Sequence, residues 1–185
     1  MPATPPILLQ RIAIVGTTGS GKTTLGETLA RRLAAPHIEL DSLYWEAGWQ
    51  PAPLDIFRAR LEPKTAAPAW VADGNYRQVR DLVWARATDL VWLDYSLPLI
   101  FWRLTYRTVS DVLNHRLLWN KNRESLSNLF LSRDSLFLWA IRRQRLHRRD
   151  YPQLLATPAY SHLQLIRLRS PRETERWLEM IPTPK

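Results

Sequence analysis

Eight consecutive residues restrict this chain more than any others: Gly16-Thr17-Thr18-Gly19-Ser20-Gly21-Lys22-Thr23. They satisfy G-x-x-x-x-G-K-[ST]. They follow the apolar run Arg11–Val15 and open a helical pattern over Lys22–Ala34, where Leu25, Leu29 and Leu33 recur at intervals of four. In that strand-to-helix setting, glycines let successive backbone N–H groups turn inward around phosphate oxygens, and the helix N-terminus adds partial positive charge. The motif predicts a nucleoside triphosphate, ATP with magnesium, held by Gly16–Thr23 and the following Thr24. Lys22 would reach the β- and γ-phosphates, and the Thr23 hydroxyl would ligate the metal. Two other readings compete. One is a glycine-rich turn that happens to precede a lysine. The other is a dinucleotide fold, suggested by the glycine spacing and by Asp41 about twenty residues on. The order G-x-x-G-x-G differs from the dinucleotide G-x-G-x-x-G and leaves Lys22-Thr23 without a task, so triphosphate binding accounts for more of the residues.

Strand and helix patterns alternate through the rest of the chain. Pro36 stops the first helix, and His37–Leu40 is a second strand ending at Asp41. Leu54–Leu61 reads as a helix between prolines, Trp70–Ala72 as a third strand leading into the turn Asp73-Gly74, and Gln78–Ala87 as a helix. Leu90–Leu93 is a fourth strand ending at Asp94. A helical stretch follows over Leu97–Leu118, then a polar break at Asn120–Arg123 and a basic helix over Asp134–Arg149. Leu163–Leu168 and Arg172–Met180 close the pattern as strand and helix. Strands separated by helical crossovers imply one α/β domain over residues 11–181, with a five-stranded parallel sheet covered on both faces and ligands at the strands' carboxyl ends. Asp41, Asp73 and Asp94 all fall at such ends.

Composition sets the outer bounds. A length of 185 residues, 45% of them apolar, suits one globular domain. The absence of cysteine excludes a disulfide framework and thiolate metal sites, and fits a reducing cytosol. Met1–Gln10 lacks a basic region ahead of an apolar run and has prolines at 2, 5 and 6, so it reads as a loose tail and not as a signal peptide. No apolar run approaches the roughly 20 residues of a membrane helix, which points to a soluble, cytoplasmic protein without a membrane partner. The net charge of +9 is concentrated. Between Arg103 and Arg149, eleven Lys and Arg face three acids, a local excess of +8 that implies an anionic partner.

Asp73-Gly74-Asn75-Tyr76-Arg77 resembles the D-G-x-x-R segment of adenylate kinases and related small-molecule kinases, and with the glycine-rich loop it resembles the nucleoside-monophosphate-kinase-like branch of the P-loop NTPases. Three further features resemble a family known both as adenylate kinase and as DNA topology modulation protein: the stretch His37–Trp45, the D-G-N-Y turn, and Leu118-Trp119-Asn120-Lys121-Asn122-Arg123-Glu124. The resemblance extends over about residues 11–181. It implies that Asp73 sits near magnesium, that Arg77 holds the acceptor's phosphate, that Pro171 lies against the adenine, and that the basic segment of about residues 103–150 is a helical lid. The chain departs from true adenylate kinases in its Lys22-Thr23-Thr24 run, in Asn75-Tyr76 where those kinases have Phe-Pro, and in lacking their lid sequence.

Several residues keep two readings. Asp73 is a metal carboxylate or a turn-former with Gly74, and Asp94 is the alternative metal carboxylate. Asp41 is a base for a hydroxyl acceptor or a binding residue. Arg77 is a phosphate clamp or a solvated arginine. Among Arg103, Arg107, Arg116, Arg123, Arg133 and Arg142, a few should close over the phosphates, with Arg123 the first choice. Trp84, Trp92, Trp102, Trp139 and Trp177 are expected in the core, while Trp45, Trp49 and Trp119 lie in loops where they pack or stack on a ring. These features describe an ATP-dependent kinase of nucleosides, nucleotides or other small hydroxyl compounds. The alternatives are a nucleic-acid-associated ATPase or regulator, using the basic helices on phosphate backbones, and a toxin-like kinase of a sugar-nucleotide hydroxyl.

Overall fold

The computed structural model describes residues 10–113 and 136–182. Almost the whole of the expected tail, Arg116, Arg123, Arg133, Trp119 and the polar break at Asn120–Arg123 lie outside them.

Strand β1, Arg11–Gly16, shows how the sequence sets the architecture. Its side chains alternate between faces, and both faces are apolar: Ile12 and Ile14 enter one core cluster, Ala13 and Val15 the other. Such a strand is satisfied only in the middle of a covered sheet. It pairs in parallel with β3 (Trp70–Asp73) on one side and β4 (Asp89–Leu93) on the other. The short β2 (His37–Glu39) and β5 (Gln164–Leu168) complete a five-stranded parallel sheet in the order β2-β3-β1-β4-β5.

Helices cover both faces. Leu25 and Leu29 of α1 (Lys22–Leu33) join Ile100 and Leu104 of α5 (Leu97–Leu113) and Trp177 of α7 (Pro171–Glu179) on one side. Phe57 and Leu61 of α3 (Leu54–Thr65), Val83 of α4 (Arg80–Val83) and Tyr151 of α6 (Leu136–Leu155) pack on the other, against Trp70 and Trp92. The chain between β4 and β5 thus includes α5 and α6. Among the described residues, no helix is long and apolar enough to cross a membrane.

Local readings shift in four places. Helix α3 runs past Pro63 because Thr65 is buried, and the carbonyls of its last turn meet Trp70 Nε1 at 3.1 Å and Arg86 Nη1 at 3.0 Å. The helix expected over Gln78–Ala87 is a 3-10 turn, Arg77–Val79, followed by the four-residue α4. Glu39 passes directly into a short helix, α2 (Leu40–Tyr44), so Asp41 stands in a first helical turn. Trp102 and Trp139 are corrections to the expected core. Ile100 and Leu104 take the buried face of α5, which leaves Trp102 69% exposed, while Trp139 is 38% exposed.

Candidate active site

The register Ile14↔Asp73 and Gly16↔Leu93 brings the carboxyl ends of β1, β3 and β4 level, so the glycine-rich loop emerges beside the turn that follows Asp73. Gly21, the N-cap of α1, has φ +92, a conformation that costs a side chain dearly and glycine little. Leu25 N–H donates to the Gly21 carbonyl at 3.0 Å, which starts the helix under the loop. Thr17 is buried below it, and its carbonyl accepts from Ser20 N–H at 3.1 Å and from Lys22 Nζ at 3.3 Å. Burial lowers the Lys22 pKa, while the nearby Asp41 and Asp73 carboxylates favour its charged form. Thr18, Gly19, Ser20, Gly21, Lys22, Thr23 and Thr24 all line a cleft of about 1010 Å³. That volume is ample for a nucleotide and a second small molecule together.

Asp73 is buried, and each of its oxygens has a partner. Thr23 Oγ1 donates to Oδ2 at 2.8 Å, and His37 Nε2 lies 2.9 Å from Oδ1. A hydroxyl and a carboxylate held together beside the glycine-rich loop form a hard-oxygen donor set that suits hydrated magnesium, which takes one or two protein ligands and keeps its waters. His37 reaches Asp73 because Gly26 of α1 leaves room: a Cβ there would stand 2.4 Å from Nε2. The hydrogen bond to Asp73 raises the His37 pKa. A lone glycine inside a helical pattern was the available sign of this contact.

Two neighbours in the same turn tie the site together, and the sequence reading assigned neither a role. The Asn75 side chain grips Gly16 at both ends, accepting from its N–H at 3.1 Å and donating to its carbonyl at 2.5 Å. Tyr76 donates its phenol proton to Asp41 Oδ1 and accepts from the Trp45 indole. Asp41 lines the cleft, and burial raises its pKa, with Tyr76 and then Lys22 pulling the other way. Arg77 is exposed on the rim of the same wall, beside Gln78.

Arg103, Arg107 and Arg143, from α5 and α6, also line the cleft. Arg103 Nη1 donates to the Ser20 carbonyl at 3.0 Å and lies over the Tyr95 ring, while Arg143 lies over Trp139. Arg142, expected among the lid arginines, is absent from the lining, and its neighbour Arg143 takes that place. Pro171, at the first position of α7, lines the cleft with Thr174 and Leu178. Asp94 requires a correction. Its carboxylate is buried and held on both oxygens, by Arg148 Nε at 2.8 Å and by Arg167 Nε and Nη2 at 3.1 and 2.5 Å. Guanidinium groups hold both oxygens and the residue does not line the cleft, so in this structure it forms an arginine bridge in place of the metal site expected.

No protein-family model matches the chain. A short stretch is 44% identical to a shikimate kinase of Enterococcus faecalis over 34 residues, which is 18% of this chain and only 20% of that protein. Solved structures extend further. Shikimate kinase from Acinetobacter baumannii, in complex with shikimate, aligns with TM-score 0.53 and 21% identity over 93% of this chain and 90% of its own. Shikimate kinase from Bacteroides thetaiotaomicron aligns with TM-score 0.51 and 21% identity over 92% and 95%. A gluconokinase from Sinorhizobium meliloti 1021 aligns with TM-score 0.52 and 18% identity over 92% and 91%. The chain therefore shares its overall α/β fold with these kinases.

Proposed function

We propose that the chain is a cytoplasmic ATP-dependent kinase that transfers the γ-phosphoryl group to a hydroxyl of a small molecule. One observation carries this reading: Asp41, separate from the Thr23–Asp73 pair, lines the same cleft as Lys22 and is coupled to it electrostatically. A phosphate acceptor is already anionic and gains nothing from a carboxylate base. A hydroxyl acceptor gains from a carboxylate that removes its proton.

The backbone amides of Thr18–Thr23 surround the triphosphate, and Lys22 offsets charge on its β- and γ-phosphates. Thr23 and Asp73 would hold magnesium, which supplies neutralisation of the phosphate charge when bound. Arg103, Arg107 and Arg143 add cations from the α5–α6 side, and Pro171 borders the adenine. Asp41 takes the hydroxyl proton as the acceptor oxygen bonds to the γ-phosphorus, and the bond from that phosphorus to the β,γ-bridging oxygen breaks to release ADP. Shikimate and gluconate kinases of like fold support a hydroxyl acceptor, but they do not choose one for this chain.

The test is ADP release by the purified protein with a panel of hydroxyl compounds and nucleoside monophosphates. Lys22→Ala and Asp41→Asn should each lower acceptor-dependent turnover by roughly 10²–10⁴-fold. An Asp41→Asn protein within a few-fold of wild type would remove the base from the mechanism.

A further inference from the structure

The acceptor side of the cleft has an unusual wall. Tyr44, Trp45, Trp49 and Tyr76 line it beside Asp41. Ring centroids lie 5.0 Å apart for Tyr44–Trp45, 5.6 Å for Trp45–Trp49 and 4.5 Å for Tyr44–Tyr76, on a foundation of the fully buried Phe57. This wall lies beyond β2, at the opposite edge of the sheet from β5 and the Pro171 border, so it is not where the adenine of ATP is placed.

The wall is built at some cost. Trp49 has φ +57, and the preceding Gly48 has φ +71. A bulky side chain in the left-handed region is disfavoured, and such residues cluster at binding sites where surrounding structure holds them in place. Here the holding is visible. Trp45 bridges Pro51, Glu46 N–H donates to the Gln50 carbonyl at 2.8 Å, Ala52 N–H to the Tyr44 carbonyl at 2.8 Å, and Arg60 pairs with Glu46 at 2.7 Å. The Trp45 indole proton is committed to Tyr76, whose own proton goes to Asp41. Wall and base are therefore one hydrogen-bonded unit.

We infer that the acceptor is a nucleoside-like compound, a planar heteroaromatic ring bearing a hydroxyl, which stacks on the face of Trp49 against the edge-to-face Trp45 and so presents the hydroxyl to Asp41. Aromatic faces reward a flat ring, whereas a polyol acid brings hydroxyls and a carboxylate that must be desolvated against them. The inference rests on the hydroxyl-kinase reading and narrows its acceptor.

The experiment uses the whole chain with ATP and magnesium, with adenosine and thymidine as ring-bearing acceptors and shikimate and gluconate as polyol acids. At least one nucleoside should elicit ADP release above the Lys22→Ala background. Trp49→Gly, which suits the left-handed backbone, should raise KM for that nucleoside at least tenfold without lowering the melting temperature. Trp49→Phe should recover most of the loss. Turnover with shikimate or gluconate alone would overturn the ring acceptor and leave the kinase reading intact. An unchanged nucleoside KM in Trp49→Gly, or a loss that follows a fall in melting temperature and is not recovered by Phe, would also overturn it. If neither class of acceptor raises ADP release above the Lys22→Ala background, the kinase reading falls as well.

Discussion

Tyr76 is the residue through which the chemistry at Asp41 can be read. Burial pushes the Asp41 pKa above its ordinary value of 3.8, and the phenol proton donated by Tyr76 opposes this by stabilising the carboxylate. In the proposed mechanism Asp41 works in its ionised form, so the acid limb of kcat/KM against pH should follow it. Removing the donor with Tyr76→Phe withdraws support from the charged form. The Asp41 pKa then rises, and the acid limb moves to higher pH. A limb that stays in place or moves down would show that another group controls it. The sequence presented Asp41 plainly, at a strand end, but not Tyr76, because a tyrosine two residues after an Asp-Gly turn has no local signature. Its partner is 35 residues away and becomes a neighbour only when β2 and β3 pair.

At the scale of elements, the first helix illustrates how a backbone position serves the site. Its leucine stripe and the glycine-rich loop ahead of it were legible from spacing alone, as were β1, β3 and β4, whose apolar runs have no other satisfactory place. Gly26 offers only an indirect sign, a glycine inside a helical pattern. In the fold it is the point where the His37 ring crosses α1 to reach Asp73. Gly26→Ala gains about 1 kcal/mol of helix propensity. It also puts a methyl carbon 2.4 Å from His37 Nε2, so the imidazole must swing away and a buried carboxylate loses a partner, at about 1–3 kcal/mol. The second effect should win narrowly: a modest loss of stability in urea, together with weaker binding of ATP in the presence of magnesium. A more stable variant with unchanged ATP affinity would show that the His37 contact is dispensable. The helix expected over Gln78–Ala87 failed for a related reason. Asn75 and Tyr76 commit the start of that segment to Gly16 and Asp41, and the chain turns before a long helix can form.

Across the whole molecule, the basic excess between β4 and β5 is partly used inside the protein, which charge counting alone could not divide. Arg103, Arg107 and Arg143 face the cleft, whereas Arg148 leaves α6 to meet Asp94 at the end of β4. Arg167 of β5 meets the same carboxylate on its other oxygen, so one buried aspartate joins the sheet to the helix that carries Trp139 and Arg143 to the cleft. Gln144 adds a second tie, donating to the Tyr95 carbonyl at 2.5 Å. Asp94→Asn preserves shape but replaces one acceptor oxygen by an N–H₂ facing a guanidinium. Arg148 is 49% exposed and Arg167 33%, so both can recover water, and the loss is well below that of a sealed ion pair: about 1–3 kcal/mol. Because α6 is also loosened from the cleft, KM for ATP should rise while the acceptor's KM, set on the β2 side, moves much less. Urea unfolding read beside both KM values checks this. Stability within about 0.5 kcal/mol of wild type, or equal rises in the two constants, would mean that the Asp94 bridge does not position the helix.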